Sequence, residues 1–393
     1  MTYLKLSQHL DFLGCSLYAD YTRTRRENGD ILTEKIKSQM NSWKSGKFLP
    51  LTSRPWSINQ YSLSKLWYRT ACIDMRVGDS NKITTYVKSW LSQDLLLKPS
   101  EVLSYRQTSD GGLGLMCVQV RAQAHLIHNF LQQAANPTFK RNVFLHALYR
   151  FYILEEVSYP EPPRPPYYSL AFFNVIKEVK DRGPWNIIWM TLGQWYDHLL
   201  KRDKTHTISD PDDPPCLKPS RVEDLYPDIC WERSHRLLRC KGLSPDHKSF
   251  LFLMMNDLLV TKERQFRLKK TPDPQCVYCQ EEEGQTHLIT CYHNREVTQP
   301  LKDLLVLYMP GITDQQIVCL DWEVEGSAAE LPLLWISTVC LSYVWDRRKR
   351  DKTVSYRECR AELRGQWTLI KETIFRNETT VMEETLENFF PPN

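Results

Sequence analysis

Apolar residues recur at helical spacing along most of the chain, and this pattern predicts a mostly α-helical protein. The clearest stretch follows the i, i+3, i+4, i+7, i+8 rule, with apolar side chains at Ile83, Tyr86, Val87, Trp90 and Leu91. Asp79 and Ser80 precede this stretch and are candidate helix caps. The pattern therefore predicts an amphipathic helix that begins just after these two residues.

Two further helices are predicted before it. In the first, Leu32, Ile36, Met40 and Trp43 recur along one face. Asp30 and Thr33 are its candidate starts, because the sequence ENGD before it is typical of a turn. The second begins at Pro55, where a missing amide hydrogen costs little. Three amphipathic helices in about 70 residues predict a small bundle, preceded by the strand-like run DFLGCSLY.

The pattern becomes irregular in the middle of the chain. Residues 117–157 are largely helical in pattern, and the sequence PEPPRPPYY at 160–168 breaks the chain with five prolines. A second helical region covers 169–202. Residues 203–228 are polar, acidic and rich in proline, so they predict a linker.

The remainder, from 229 onward, is again predicted to be helical. Its longest apolar run, LPLLWISTVCLSYVW at 331–345, has fifteen residues and contains a proline near its start. A membrane-spanning helix needs roughly 20 apolar residues. The run is therefore predicted to be a buried helix rather than a membrane span, and a final helix is predicted around 356–376.

Composition narrows the class of protein. Of the 393 residues, 42% are apolar and 25% are charged, as in an ordinary soluble globular protein. The net charge is only +4, but residues 1–100 contain 15 Lys and Arg against 8 Asp and Glu, a local excess of +7. Such an excess suits a phosphate backbone, and a solvated basic face is the alternative interpretation.

Cysteine usage bears on the compartment. Nine of the twelve cysteines are scattered without regular spacing, and the start MTYLKLSQHL lacks a basic region followed by an apolar one. These features predict a reducing compartment, the nucleus or the cytoplasm, and a protein that is not secreted.

The remaining three cysteines belong to a compact motif with the chemistry of a metal site. Cys276, Cys279, His287 and Cys291 form a C-x2-C-x7-H-x3-C array. The C-x2-C spacing lets two thiolates reach one ion, and residues four apart on a helix share a face. Four such ligands fill a tetrahedral shell, so the motif predicts a structural Zn2+ site. The alternative is three buried thiols and a surface histidine, and His293 is a weaker competitor for the fourth position.

Other motifs carry less chemistry. LYAD at 17–20 is similar to a polymerase carboxylate motif, but Tyr21 follows, so the paired aspartates that hold two metal ions are missing. GGLGL at 111–115 departs from both phosphate-loop patterns and predicts a turn. The sequence predicts no catalytic residue.

Some basic and imidazole side chains leave more than one interpretation open. The run RRKR at 347–350 is a candidate nuclear signal or phosphate contact, and a solvated helix end is the alternative. Three histidines in helical patterns are interpreted as core or surface residues rather than ligands, namely His125, His128 and His146.

Several fragments, taken in order, resemble a known family. FLGCSLYADYTRTRRENGD, WKSGKFLPLTSRPWSINQYSLSKLWYR, VKSWL, GGLGL, SFLFLMMNDLLVTKERQ and CVYCQEEEGQTHLITC resemble the C-terminal part of the polyprotein of LINE-type non-LTR retrotransposons, downstream of the reverse-transcriptase palm. The resemblance covers about residues 10–300. Its later part is similar to the family's reverse-transcriptase zinc-binding domain.

The resemblance implies a division of the chain. Phe12–Tyr18 would correspond to the last hairpin of the palm, and 31–95 to the helical thumb that closes over a template–primer duplex. The expected parts are an end-of-palm hairpin with a thumb-like helical bundle (1–100), a helical connector (101–202), a linker (203–228), a small helical zinc-binding module (229–300) and a C-terminal helical region (301–393).

The resemblance also implies a function without catalysis. The fragments that match include no palm carboxylates to hold magnesium, so phosphoryl transfer is not expected from this chain alone. The expectation is a truncated or relic copy that binds RNA, DNA or an RNA–DNA duplex, with the missing palm and endonuclease part as a further partner. A domesticated protein-interaction module is the alternative, and a membrane partner is not expected.

The basic excess supplies the predicted phosphate contacts. They are the cations of the hairpin and thumb-like region, Arg23, Arg25, Arg26, Lys35, Lys37, Lys44, Lys47, Arg54, Lys65 and Arg69. Trp43, Trp56 and Trp67 are instead expected to pack the bundle.

Overall fold

The computed structural model describes most of the chain, and it confirms the mostly α-helical prediction. The described residues are 10–12, 15–18, 20–43, 48–135, 170–182, 187–202, 207–208, 216–217, 220–240, 242–324, 328–371 and 379–389. They fall into two compact units. The first unit is Met1–Leu49, Arg54–Gln93 and Leu115–Lys218, and the second is Pro50–Ser53, Asp94–Gly114 and Pro219–Asn393.

The elements are numbered in chain order. Up to residue 217 they are β1 Leu10–Phe12, β2 Cys15–Leu17, α1 Tyr21–Ser42, α2 Arg54–Ser57, a π-helical turn Ile58–Leu63, α3 Ser64–Thr70, α4 Val77–Leu91, α5 Glu101–Tyr105, α6 Val118–Ala135, α7 Leu170–Arg182, α8 Leu192–Arg202, β3 Thr207–Ile208 and β4 Cys216–Leu217.

The rest of the chain is helical wherever it has regular structure among the described residues. Its elements are α9 Arg221–Leu225, α10 Trp231–Leu238, α11 Pro245–Met255, α12 Lys262–Arg267, α13 His287–Thr290, α14 Arg295–Tyr308, α15 Asp314–Cys319, α16 Glu330–Lys349, α17 Tyr356–Ile370 and α18 Thr379–Phe389. The sequence did not predict α15 or α18.

The first unit opens with the short hairpin expected there. Strands β1 and β2 are antiparallel, with Leu10 opposite Leu17 and Phe12 opposite Cys15. Asn28 on α1 fastens this hairpin, because its side chain accepts from Ser16 N and donates to Ser16 O.

Helix α1 begins earlier than predicted. Asp20 caps it, with the carboxylate accepting a hydrogen bond from Thr22 N at 2.9 Å. The helix then runs through the sequence ENGD, so the predicted turn and the predicted starts at Asp30 or Thr33 are wrong. Its buried face nevertheless contains Leu32, Ile36 and Met40, as the periodicity indicated.

Close packing against α4 explains the glycine inside α1. A Cβ atom on Gly29 would overlap the Asp79 carboxylate, so any other residue here would require that buried side chain to shift. Asp79 lies in the first turn of α4 and pairs with Arg76 at 2.6 Å. Because α4 starts at Val77, the prediction that Asp79 and Ser80 cap it is wrong. The glycine of ENGD therefore marks a contact between α1 and α4 rather than a turn.

The predicted helix at Pro55 is present as α2, the π-helical turn and α3 in succession. Ile58, Leu63 and Leu66 are fully buried and form the inner face of this segment. Trp56, by contrast, is 60% exposed, so the expectation that it packs the bundle is wrong. Trp67 is half-buried and stacks on His125 of α6, with ring centroids 5.5 Å apart.

Helices α6, α7 and α8 and strands β3 and β4 form the later part of the first unit. The backbone N–H of Cys117 donates to the Tyr196 hydroxyl at 2.9 Å. His128 makes a 3.2 Å hydrogen bond with Met190 O. His125 and His128 are both half-buried and contact neighbouring residues of the first unit. His146 and the proline-rich stretch 160–168 lie outside the described residues.

The GGLGL stretch is a turn, as predicted. Gly111 and Gly114 have φ of 74° and 69°, a left-handed backbone that favours glycine. The amides of Gly112 and Gly114 donate to backbone carbonyl oxygens of the same loop at 2.9 Å. Because these amides are already bonded, they cannot cradle a phosphate.

The second unit is built around α16. Its apolar residues are buried on all sides, including Leu333, Trp335 and Val344, which confirms the prediction of a buried helix. None of the described helices is long and apolar enough to cross a bilayer.

Part of the predicted linker also has regular structure in this unit. Ser220 and Glu223 form a capping box at the start of α9, within the range 203–228. Glu223 accepts a hydrogen bond from Arg106 at 2.5 Å, which joins α9 to the segment that follows α5.

Candidate metal centre

The C-x2-C pair lies on a tight loop in the second unit. An isolated bridge between Gln275 and Glu282 closes this loop, and Cys276 N donates to Glu281 O at 2.7 Å. Gln280 adopts a left-handed backbone with φ of 63°, which turns the chain back. These contacts give the loop the tight turn that brings Cys276 and Cys279 close together.

The other two ligands come from a single helical turn. His287 begins α13, and Cys291 directly follows the helix with its N–H bonded to His287 O at 2.9 Å. The predicted stacking of residues four apart therefore arises from one turn of helix, since HLITCYHNR is not one continuous helix.

The four side chains meet at one point. Their ligand atoms lie within 4.8 Å of one another. The Cys276 and Cys291 sulfurs are 4.0 Å apart, the Cys279 and Cys291 sulfurs 3.9 Å, and the Cys279 sulfur lies 3.2 Å from His287 Nε2. A tetrahedron with Zn–S bonds of about 2.3 Å has sulfurs about 3.8 Å apart. The donor set and its spacing therefore fit a zinc ion.

The rival fourth ligand is excluded by its position. His293 is exposed, and its ring contacts the rings of Tyr278 and Tyr292 at centroid distances of 5.3 and 5.9 Å. The His287 side chain, by contrast, is buried inside the cluster. His287 is therefore not the surface histidine that the alternative interpretation expected.

The protonation chemistry of the site also suits a cation. Burial raises the pKa of Cys276, but the N–H groups of Cys279 and Tyr278 and the guanidinium of Arg348 lower it, and the net shift is downward. Burial lowers the pKa of His287. Metal ligation requires a thiolate and a neutral imidazole, which are the forms that these environments favour.

The thiols are not uniform, however. Burial and the neighbouring Cys276 and Cys291 thiols raise the pKa of Cys279 to about 11. Three thiolates repel one another, so a divalent cation is needed to hold them together in deprotonated form. With four protein ligands and no open position, the arrangement supports structural binding and offers no activated water.

A buried ion pair borders the ligands. Glu283 accepts from Arg348 Nη2 at 2.5 Å, and the same nitrogen donates to Cys276 Sγ at 3.1 Å. Arg348 comes from the run RRKR at the end of α16. Neither residue was predicted as part of the site. Arg348 is far from the ligands along the chain, and Glu283 lies between them but belongs to no recognisable motif.

The predicted phosphate contacts divide according to their surroundings. Arg23, Arg26, Lys35 and Lys65 are exposed, whereas Arg25, Lys37 and Arg69 are half-buried. Lys44 and Lys47 lie outside the described residues.

Arg54 has a different environment from the other predicted contacts. It is only 2% exposed, and its guanidinium donates to Leu49 O at 2.9 Å and Leu91 O at 2.8 Å. It bridges the start of α2 to the end of α4, so its geometry is that of a structural residue.

Acidic residues accompany the cations of α1. Arg26 pairs with Glu27 and Lys37 with Glu34, both at 3.4 Å, and Arg25 pairs with Asp74 at 2.7 Å. The Arg26–Glu27 and Lys37–Glu34 pairs are the more exposed ones, and such pairs are worth less than about 1 kcal/mol, so a phosphate could replace their acidic partners.

Exposed aromatic side chains lie on the same helical segment of the first unit as the cation Lys65. Trp56, Tyr61 and Tyr68 are all exposed on the helical segment that also presents Lys65. Trp56 and Tyr61 meet edge to face with centroids 5.8 Å apart. Exposed aromatic rings beside cations are the parts of a base-stacking surface. Their exposure was not predicted from the sequence, because aromatic residues at helical spacing are usually core.

Comparison of the chain with protein-family models gives no match, and comparison with curated proteins gives none either.

Proposed function

We propose that the chain is the non-catalytic C-terminal part of a LINE-type reverse transcriptase, in which a zinc-stabilised module accompanies a thumb that binds nucleic acid. The observation that carries the proposal is the cluster of Cys276, Cys279, His287 and Cys291, because its donor set and spacing fit zinc at the position where the resemblance implies the family's zinc-binding domain.

The first unit supports the proposal that the chain contains a thumb that binds nucleic acid. Helices α1, α2–α3 and α4 form a helical group in the region expected for the thumb. Its exposed cations and aromatic rings can contact phosphates and bases respectively. Because acidic residues are interleaved on α1, we expect moderate affinity without sequence preference rather than tight specific binding.

The proposal excludes polymerisation by this chain alone. Asp20 is the acidic residue of the LYAD motif, and its carboxylate caps α1 through Thr22 N. A primer-extension assay with the purified chain, magnesium and deoxynucleotides should yield no product. Extension would contradict the non-catalytic part of the proposal.

Zinc content tests the metal half. Elemental analysis of the purified full chain should return one equivalent of zinc. Replacing Cys276, Cys279 and Cys291 by serine should remove it and lower the melting temperature. Absence of stoichiometric zinc, together with an unchanged melting curve in the triple variant, would contradict the structural role of the site.

A salt titration tests the nucleic-acid half. The full chain should bind an RNA–DNA duplex at 50 mM salt, with an affinity that falls steeply as salt rises because neutralised phosphates release counterions. Neutralising Arg23, Arg26, Lys35 and Lys65 to glutamine should weaken binding. It should also reduce the salt slope by about 1 for each phosphate that the variant no longer neutralises.

A charge-matched variant provides the control. Lys269, Lys270, Arg350 and Arg357 are exposed cations of the second unit, and replacing them by glutamine also lowers the net charge from +4 to 0. Equal losses of affinity in both variants would show that net charge rather than the thumb-like surface drives binding. No affinity in the unmodified chain would sink this half of the proposal and favour the protein-interaction alternative.

A further inference from the structure

The run RRKR does not behave as one basic patch. Arg347 donates to Thr353 O at 2.9 Å and pairs with Glu358 at 3.1 Å, while Lys349 pairs with Asp346 at 2.8 Å. The side chain of Arg348 is only 6% exposed. A residue this buried is unsuited to a nuclear signal or a phosphate contact, and it needs another explanation.

Arg348 extends from the last turn of α16 toward the cysteine loop. Its Nη2 lies 3.1 Å from Cys276 Sγ and 2.5 Å from Glu283 Oε2. Its guanidinium carbon lies 5.9 Å from the centre of the Tyr278 ring. Arg348 thus contacts the candidate ligand Cys276, the acidic residue Glu283 and the Tyr278 ring, which lies between Cys276 and Cys279 in the sequence.

The charges at the site explain why a cation is needed there. Three thiolates and one Zn2+ ion carry a net charge of −1, and the Glu283 side chain beside them is only 11% exposed. Two neighbouring negative charges with little access to water repel each other strongly. The Arg348 guanidinium, which is always charged in proteins, contacts both groups and offsets their negative charge.

We propose that Arg348 is a positioning residue of the metal centre and that α16 is therefore a functional part of the zinc-binding module. The guanidinium separates Glu283 from the thiolates and fixes the orientation of Cys276. By the same contacts, a bound ion strengthens the docking of α16 onto the cysteine loop. This inference rests on the proposed metal function and assigns a role to a segment that lies outside the motif.

Metal affinity of the full chain tests the inference. Zinc affinity is measured by competition with a chromophoric chelator, and Co2+ serves as a spectroscopic probe of the ligand set. Arg348→Met should weaken zinc binding by about 10- to 100-fold, the range typical when a residue that supports a metal ligand is removed. Arg348→Lys should weaken binding less, because it keeps the charge but not the planar geometry that contacts sulfur and carboxylate together.

Two further variants separate this role from general charge or helix effects. Lys349→Met removes the adjacent charge, which is half-exposed and paired with Asp346, and should leave zinc affinity unchanged. Glu283→Gln combined with Arg348→Met should recover part of the lost affinity, because it removes the buried carboxylate that the arginine offsets.

The outcomes are distinct. Zinc affinity in Arg348→Met and Arg348→Lys equal to that of the unmodified chain would overturn the inference while leaving the zinc site intact. Absence of zinc from the unmodified chain would instead contradict the proposed metal function. If Arg348→Met does not fold, Arg348→Lys decides: weaker binding with a folded spectrum supports the inference, and unchanged binding overturns it.

Hydrogen exchange supplies a readout independent of affinity. In the unmodified chain, removing zinc should reduce amide protection in the carboxyl-terminal turns of α16. In Arg348→Lys this dependence on zinc should be smaller. Protection of these turns that is the same with and without zinc in the unmodified chain would overturn the proposed link between the ion and α16.

Discussion

The helical bundle of the first unit and the cysteine loop of the second are stabilised in opposite ways. In the bundle, Ile36, Ile58, Leu63, Leu66 and Ile83 are fully buried, and the helices exclude water from a continuous apolar interior. Between Lys262 and Thr286, all of which is described, the sole buried apolar side chain is Cys276.

The difference supports a structural role for the proposed metal site. A segment that buries so little apolar surface cannot offset the conformational entropy lost on ordering it. Hydrogen bonds within the loop give it a shape but contribute little net free energy. In the proposed metal site, four ligands on one ion would supply the missing stabilisation, which reaches on the order of 10 kcal/mol in small zinc peptides.

Zinc removal should have the largest effect on amide protection, and the loss should be confined to the region around the metal site. Chelation of the full chain should abolish amide protection across residues 262–294 while α1 and α4 stay protected, because apolar burial holds those helices. Hydrogen exchange with and without chelator measures both regions in one sample. An equal loss of protection in both regions, or no loss in 262–294, would break the comparison.

A cavity in the bundle should give a smaller effect with the reverse distribution. Ile58→Ala should lower the free energy of unfolding of the first unit by about 2–5 kcal/mol, since it removes fully buried methyl groups. Urea titration measures the loss of stability, and zinc content should stay at one equivalent.

Trp56→Ala is the matched control for that prediction, because the tryptophan lies two residues away but is mostly exposed. Its cost should stay below about 1 kcal/mol. A large loss of stability from Trp56→Ala, or a small one from Ile58→Ala, would show that the bundle's stability does not follow apolar burial.

The smallest expected effect is a pH dependence inside the bundle. Burial, with Arg121 and His128 nearby, lowers the pKa of His125 to about 4. The unfolded chain, with an ordinary histidine pKa of about 6.5, therefore binds more protons between these values. The neutral His125 ring therefore leaves the folded state at full stability above pH 6.5. The free energy of unfolding decreases as the pH falls from 6.5 toward 4.

Urea titrations at pH 7 and pH 5 check this prediction. The loss of stability between the two pH values should be smaller in His125→Gln than in the unmodified chain. His293→Gln, at an exposed position, should leave the loss unchanged. The same pH dependence in His125→Gln and the unmodified chain would contradict the assignment.

Periodicity and ligand spacing carried most of the correct predictions. Leu32, Ile36 and Met40 identified the buried face of α1, and the apolar run 331–345 identified a buried helix. The four candidate metal ligands were also predicted to meet, and their ligand atoms lie within 4.8 Å of one another. Such features depend on residues close together in the chain, whose relative positions the helix and the tight turn largely determine.

Predictions were wrong where the conformation of a residue depends on a partner far away in the sequence. ENGD was interpreted as a turn because its glycine and asparagine favour one, yet Gly29 packs against Asp79, and Asn28 joins α1 to the hairpin through Ser16. Arg54 was grouped with the phosphate contacts because charge is usually exposed. The carbonyl of Leu91 that holds it inside is 37 residues away in sequence.

The sequence alone determined that this protein is mostly helical and which four side chains can share one ion, because both properties follow from local spacing. Only the tertiary structure decided that Arg54 is internal, that Trp56 is exposed, and that Arg348 reaches a ligand 72 residues away. Burial and electrostatic pairing are properties of the surroundings of a side chain, and those surroundings exist only after distant segments have packed together.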